Sequence, residues 1–175
     1  MRYVALLRGI NVGGKSKVPM NDLKATFEKA GYTNVSTYIN SGNVVFSTDD
    51  KDQKKLTATL EELLTKTFGF DLTVVIRSQA EIDTVITNVP IRWNDGSDVR
   101  CYVGFLTDNA TDEMIAEIPM KEGIDSLKIL PGVIYMTTKM EGLTKSYFSK
   151  MSSKKIYKQV TIRNYNTTKK IASLF

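Results

Sequence analysis

The chain has 175 residues, 42% hydrophobic and 25% charged, with 24 Lys and Arg against 19 Asp and Glu for a net charge of +5. This is the composition of an ordinary globular protein, long enough to bury a core without cross-links, and its single cysteine, Cys101, excludes an internal disulfide. Histidine is absent, which excludes every Ser-His and Cys-His nucleophile pair and any soft zinc or iron–sulfur site, and leaves only a carboxylate Mg²⁺ site open.

Residues 3–7 are β-rich and end at Arg8-Gly9, which predicts a strand followed by a loop, 9–17, holding three glycines. Arg8 interrupts the opening apolar run too early for a signal peptide. No apolar run approaches the ~20 residues of a membrane span, so the expected setting is cytoplasmic. Pro19 suits the first turn of a helix, on which Leu23, Phe27 and Ala30 recur at helical spacing until Gly31. Residues 35–39 and 44–47 flank Asn40-Ser41-Gly42-Asn43, two β-prone runs around residues that accept positive φ, and so predict a hairpin. Over 51–68, Leu56, Leu60, Leu63, Leu64 and Phe68 form one helical stripe closed by Gly69. Asp49, Asp50 and Asp52 stand ahead of that helix, where carboxylates favour its dipole. A strand over 72–76, a third helix over 79–88 ended by Pro90, and a linker over 89–97 follow.

The order then repeats. Val99, Cys101, Val103 and Phe105 alternate as in a half-buried strand, which makes Cys101 a small buried hydrophobe. Met114, Ile115 and Ile118 predict a helix, and 126–130 with 133–138 flank Pro131-Gly132 as a hairpin. Leu143, Tyr147, Phe148 and Met151 predict a further helix, 157–162 a last strand, and 167–174 a short closing helix with Asn166 as its N-cap. The fold class expected is α+β: two tandem ferredoxin-like βαββαβ halves with antiparallel sheets packed by helices, plus a linker helix and a short C-terminal helix. The halves span 1–90 and 91–175 and share no convincing residue-by-residue identity. In such a unit the first and third strands are antiparallel neighbours, so the loop 9–17 and the turn 41–43 are expected at one edge.

Within that loop, Gly9-Ile-Asn-Val-Gly-Gly14-Lys15-Ser16 matches the phosphate-loop pattern of Gly, four residues, Gly-Lys-Ser. Pro19 arrives five residues after Gly14, where the helix of a true phosphate loop would be running, and the following strands read as a hairpin rather than a crossover. Asp108, at the end of the 102–108 run, would be the Mg²⁺-side partner in that reading. The competing readings are an anion nest and a plain glycine connection.

Three motifs carry a family resemblance: Ala5-Leu-Leu-Arg8-Gly9-Ile-Asn11-Val-Gly13-Gly14-Lys15 with Val18-Pro19-Met20 and Leu23; Tyr38-Ile-Asn-Ser41-Gly42-Asn43-Val-Val-Phe46; and Thr161-Ile-Arg163-Asn164-Tyr165-Asn166-Thr167. Together they make the chain similar, over nearly its whole length, to the bacterial family called domain of unknown function 1697. Tyr165 stands where that family more often has Trp, Asn40 where Gln is frequent, and Ser16 where many members lack a hydroxyl. The resemblance implies a compact α+β fold with ferredoxin-like halves and no particular activity.

Two groups of candidate ligand-binding residues emerge. Arg8, Asn11, Gly13, Gly14, Lys15, Lys17, Ser41 and Asn43 offer cations, amides, a hydroxyl and exposed backbone N–H groups to a phosphate, carboxylate or nucleobase; the alternative is that the amides and hydroxyl bond their own turns. Arg163 and Asn164 form the second, with helix capping as the alternative role. Residues 139–175 hold nine basic side chains against Glu141 alone, a balance of +8, interleaved with Tyr147, Phe148, Tyr157 and Tyr165. That pattern suits single-stranded nucleic acid, or is a solvated lysine face. The expected function is a non-enzymatic binding protein for an anionic ligand, nucleic acid or small molecule, with no cofactor and no metal. The alternatives are a nucleotide-binding phosphotransferase or hydrolase using Lys15, Ser16 and Asp108, and a protein-interaction domain.

Overall fold

The structure, a computed structural model, describes residues 1–14, 16–90 and 98–175. Lys15 and residues 91–97 of the expected linker lie outside the described residues. The elements are β1 (Arg2–Arg8), α1 (Met20–Lys29), β2 (Thr33–Tyr38), β3 (Asn43–Ser47), α2 (Gln53–Phe68), β4 (Thr73–Ser78), α3 (Gln79–Thr87), β5 (Val99–Leu106), α4 (Asp112–Ala116), β6 (Asp125–Leu130), β7 (Val133–Lys139), β8 (Val160–Asn164) and α5 (Tyr165–Ala172). Between β7 and β8 the chain winds through three 3-10 stretches, Met140–Lys145, Phe148–Ser153 and Lys155–Gln159.

The chain divides into two compact units, residues 1–84 with 169–175, and residues 85–168. Each carries one four-stranded antiparallel sheet. The strand orders are β2-β3-β1-β4 and β6-β7-β5-β8, so the same order occurs twice.

In the first unit, β1 is one of two inner strands, paired with β3 through Leu6↔Asn43 and with β4 through Arg8↔Thr73. Its alternation sends Tyr3, Ala5 and Leu7 into one core with Phe46, with Leu23 and Phe27 of α1, and with Leu56, Leu60 and Leu64 of α2. Each fully buried leucine contributes about 2–3 kcal/mol of transfer free energy. Phe27 and Tyr32 both meet Phe46 edge-on, at 5.3 and 4.9 Å between ring centres. Helix α2 starts where Asp52 accepts bonds from the Lys54 and Lys55 amides at 3.0 and 3.1 Å. It stops at Gly69, whose φ of 78° closes the last turn onto the Thr65 carbonyl. Glu81 secures the start of α3 by accepting from the Ser78 amide and hydroxyl and from Gln53 Nε2. Burial opposes its ionisation, but those bonds and Arg77 hold its carboxyl below the usual range.

In the second unit, Leu106, Ile134, Met136 and Val160 on the sheet pack with Ile115, Ile118, Met151 and Ile156. Here the expected helix over Leu143, Tyr147, Phe148 and Met151 is replaced by 3-10 turns. The backbone bonds run three residues back: Ser146 to Leu143, Lys150 to Tyr147, Lys154 to Met151 and Tyr157 to Lys154. Serine explains the departure. The Ser146 hydroxyl accepts from the Phe148 amide at 3.2 Å, and the Ser152 and Ser153 hydroxyls donate to carbonyls three residues earlier at 3.3 and 2.9 Å. These local bonds offer the backbone an alternative to the α-helical ladder.

The third 3-10 stretch takes up residues 155–159, so β8 begins at Val160 rather than at residue 157. The last helix starts at Tyr165, and its cap is Asn164 rather than Asn166: Asn164 Oδ1 accepts from the Thr167 amide at 2.7 Å, three residues on, where an N-cap side chain reaches. Asp125 ties this layer to the sheet. Its carboxylate accepts from the Lys121 and Tyr147 amides at 2.9 and 2.8 Å and from the Thr138 hydroxyl at 2.8 Å. Burial would raise its pKa, but these bonds and the Ser146 hydroxyl outweigh it and hold the carboxyl below the usual range.

Candidate functional site

The loop after β1 and the turn before β3 meet in the first unit. The Leu7 amide donates to the Gly42 carbonyl at 2.8 Å, and Asn11 Nδ2 donates to the Asn40 carbonyl at 2.9 Å. Gly42 sits at φ 76°, and a Cβ there would lie 2.6 Å from Ile10 Cδ1 and 2.8 Å from Leu7 Cβ. Two requirements therefore demand glycine: a left-handed backbone and the close approach of the neighbouring loop.

Asn11 is the clasp of that loop. Its Oδ1 accepts from the Val18 amide at 2.9 Å, its Nδ2 donates back to the Val18 carbonyl at 3.0 Å, and its amide donates to the Ser16 carbonyl at 3.0 Å. Asn43 is almost fully buried, and its Nδ2 donates to the Tyr38 carbonyl at 2.8 Å and to the Ser41 hydroxyl at 3.1 Å. Of the expected binding residues, then, Asn11, Ser41 and Asn43 hold the two turns in shape.

Gly13, Gly14 and Lys17 are exposed, the two glycines at φ 61° and 73°. Arg8, half-buried, ends β1. Asn11, Gly14, Lys17, Pro19, Met20 and Asn40 border an open cavity of about 330 Å³. Among the described residues the first helix begins at Met20, six residues past Gly14, and Pro19 caps α1 without a side-chain hydrogen bond. Val12 and Ile39 expose apolar side chains on these two connections, 61% and 47%, and Ile39 does so at φ 49°. A β-branched residue in that region is strained.

Arg163 and Asn164 belong to the second unit. Arg163 is 6% exposed, and its Nη1 donates to the Thr161 hydroxyl at 2.9 Å and to the Ile162 carbonyl at 3.0 Å. Burial draws its pKa down to about 10, so it stays charged at neutral pH. Asn164, besides capping α5, lines a hollow of about 400 Å³ with Arg100, Tyr102, Tyr165 and Asn166. Lys145, Lys150, Lys155 and Lys158 are exposed along the 3-10 stretches, and Lys150 Nζ stands 3.5 Å from the centre of the Tyr147 ring. Among the described residues the ion pairs are Lys24–Glu28, Lys55–Asp50 and Arg77–Glu81, all within residues 1–84. Cys101 is buried, as its alternating strand leads one to expect. No described helix is long and apolar enough to cross a membrane.

Residues 1–135, which contain both the glycine loop and the turn at Gly42, match the model of a family described as "Protein of unknown function (DUF1697)". The chain belongs to that family. The DUF1697 match confirms the resemblance carried by the first two motifs, while the third, over 161–167, lies beyond the matched residues. A solved structure, that of the conserved bacterial protein SP0830 from Streptococcus pneumoniae, is 29% identical, with a TM-score of 0.88 over 99% of this chain and 97% of its own. No curated protein matches the chain.

Sequence reasoning missed one feature, a groove of about 510 Å³ in the second unit. It opens where the expected helix is absent. The signal for it was the serine content of 146–153, which lowers helix propensity on a stripe whose apolar spacing is helical.

Proposed function

We propose that this DUF1697 chain is a non-catalytic binding protein whose ligand is anionic and is held at the loop edge of the first unit. The observation that supports this reading most is the open cavity beside Gly14, Lys17 and the start of α1. Gly13 and Gly14 expose their backbone at the turn, and the first amides of α1 have no side-chain acceptor at Pro19. Lys17 adds a positive charge with no hydrogen-bond or ion-pair partner among the described residues. Asn11 and Asn43, both committed to backbone carbonyls, pre-organise the edge rather than touch the ligand.

The repeated strand order supports reading each unit as a ferredoxin-like half, with the edge between first and third strands as the site. The buried Cys101, a thiol that forms no disulfide among the described residues, fits a reducing cytoplasmic setting. The phosphotransferase alternative draws less support: α1 begins only at Met20, and β5, which leads to Asp108, belongs to the other sheet from the glycine loop. Exposed Val12 and Ile39 favour the protein-interaction alternative at the same edge. The exposed lysines of 145–158 favour a nucleic-acid ligand on the second unit.

Amide chemical shifts separate these readings. Pyrophosphate titrated at constant ionic strength is expected to move the Gly13, Gly14 and Met20 amides saturably, and Lys17→Ala to weaken that binding about five- to tenfold, the scale of one charge-assisted hydrogen bond. Unmoved amides at tens of millimolar pyrophosphate would remove the anion site. Single-stranded RNA and DNA are titrated across salt in parallel, where salt-dependent shifts confined to 145–158 would favour the nucleic-acid reading. ATP or GTP with Mg²⁺ binding in a manner abolished by Lys15→Ala would restore the phosphotransferase.

A further inference from the structure

The groove in the second unit combines an apolar floor with polar groups that lack side-chain partners among the described residues. Tyr102 of β5, Met136 of β7 and Ile162 of β8 supply the sheet side, and Leu143, Phe148 and Met151 of the 3-10 turns supply the opposite wall. Its volume, about 510 Å³, falls in the range of small-molecule sites. The Thr138 hydroxyl at its base is committed to Asp125 at 2.8 Å and stands 3.3 Å from the Ser146 hydroxyl. Asp125 in turn is held by two backbone amides, which keep it a carboxylate whose acceptor sites are taken by donors of its own.

Three other polar groups remain. The Arg100 guanidinium, the Tyr102 hydroxyl and the Thr144 hydroxyl line the groove, and none of them has a side-chain hydrogen bond or ion pair among the described residues. The exposed charge on the turns that wall the groove is mostly positive. Lys145 and Lys150 are exposed on the same 3-10 turns, and Glu141 is the one acid of residues 139–175. A cation on the lining of an apolar slot, with an excess of positive charge on the adjoining turns, favours ligands with an anionic head.

We propose that this groove binds a small amphipathic organic anion: an aryl or acyl body against Phe148, Met136, Met151 and Ile162, and a carboxylate-, sulfonate- or phosphate-type head at Arg100. Tyr102 and Thr144 donate to the same head. The site is separate from the edge of the first unit, and its ligand differs in needing an apolar body. It uses the space that the missing helix leaves. A regular helix would lay its apolar stripe flat on the sheet, whereas the 3-10 turns leave the floor open.

Methionine methyl groups report on both sites at once, because Met136 and Met151 line the groove while Met20 borders the cavity of the first unit. The full chain, labelled at its seven methionine methyls, is titrated with anilinonaphthalene sulfonate and, separately, with the uncharged phenyl-naphthylamine. The sulfonate is expected to shift the Met136 and Met151 signals saturably and to leave Met20 in place. Arg100→Gln is expected to weaken the sulfonate about tenfold, as loss of one charge-assisted hydrogen bond does, and the neutral probe less than about twofold. Thr144→Trp, which fills the slot from an exposed position, should abolish both. Static Met136 and Met151 signals, a response at Met20 instead, or equal effects of Arg100→Gln on both probes would each overturn the proposal. Because the pyrophosphate titration reads the Gly13 and Gly14 amides, either site can fail without the other.

Discussion

The two units share a strand order and differ in what crosses over between their third and fourth strands. In the first, α2 is sixteen residues long, capped by Asp52, closed by Gly69, and seals one face of the sheet with Leu56, Leu60 and Leu64. In the second, three 3-10 stretches cover the same topological step and leave a groove. Strand order is thus set by the pairing of alternating apolar strands. The completeness of the helical layer is set by local chemistry: on one side a cap, a leucine stripe and threonines such as Thr57 and Thr67 that bond carbonyls four residues back within the helix, on the other a serine-rich segment whose hydroxyls bond three residues back or to nearby amides. The unit with the sealed layer keeps its candidate site at a loop edge, and the unit with the open layer gains one on the face of the sheet.

The largest effect that sharpens this contrast lies in α2. Leu60 is fully buried, so Leu60→Ala is expected to cost about 2–5 kcal/mol in urea unfolding, whereas half-buried Leu143 on the groove wall should lose about 1 kcal/mol when truncated. Equal losses at the two positions would mean that the second layer is as closed as the first. Asp125→Ala comes next. It strands the Lys121 and Tyr147 amides and the Thr138 hydroxyl, at a cost of about 2–4 kcal/mol.

The same carboxylate sets a pH dependence. Its folded pKa is depressed, so its contribution is complete above the unfolded carboxylate pKa of about 3.9 and is lost as pH falls through the lower folded value. Unfolding curves between neutral pH and about pH 2 should therefore steepen toward acid in the wild type, and less so in Asp125→Ala; identical profiles would argue against the bonded carboxylate.

Gly42→Ala follows, at about 1–3 kcal/mol, from a Cβ forced against Ile10 and Leu7 in a left-handed backbone. Its amide shifts should spread across residues 10–18, since that loop is clasped to the turn. A change confined to 41–43 would show that the two connections are uncoupled. Asp52→Ala is the smallest, about 0.5–2 kcal/mol, the range for an N-cap, and should fray only the first turn of α2 in hydrogen exchange.

How much of this was legible beforehand follows the same division. The α2 stripe, the Gly42 turn and the approach of the loop at Asn11 were readable because periodicity and positive-φ residues act locally. The buried state of Asn43 was not, since whether an amide faces a ligand or the Tyr38 carbonyl is decided by tertiary packing. The groove was hidden for a different reason. Leu143, Tyr147, Phe148 and Met151 carry true helical spacing, and only the competition from Ser146, Ser152 and Ser153, visible as hydrogen bonds, reveals that the spacing is not used as a helix. Arg100 and Tyr102 read as ordinary members of an alternating strand, and nothing in their neighbours' identity announces the opening beside them.

Proton–proton contacts along residues 140–159 test the contrast between the two crossovers most directly. The structure predicts Hα-to-amide contacts two residues apart within each of the stretches Met140–Lys145, Phe148–Ser153 and Lys155–Gln159, interrupted at Ser146 and Lys154, without the four-residue contacts that α2 will show between Leu56 and Phe68. An unbroken series of four-residue contacts over 143–151 would mean that a regular helix covers the sheet, and the groove with its anion would have no place in the molecule.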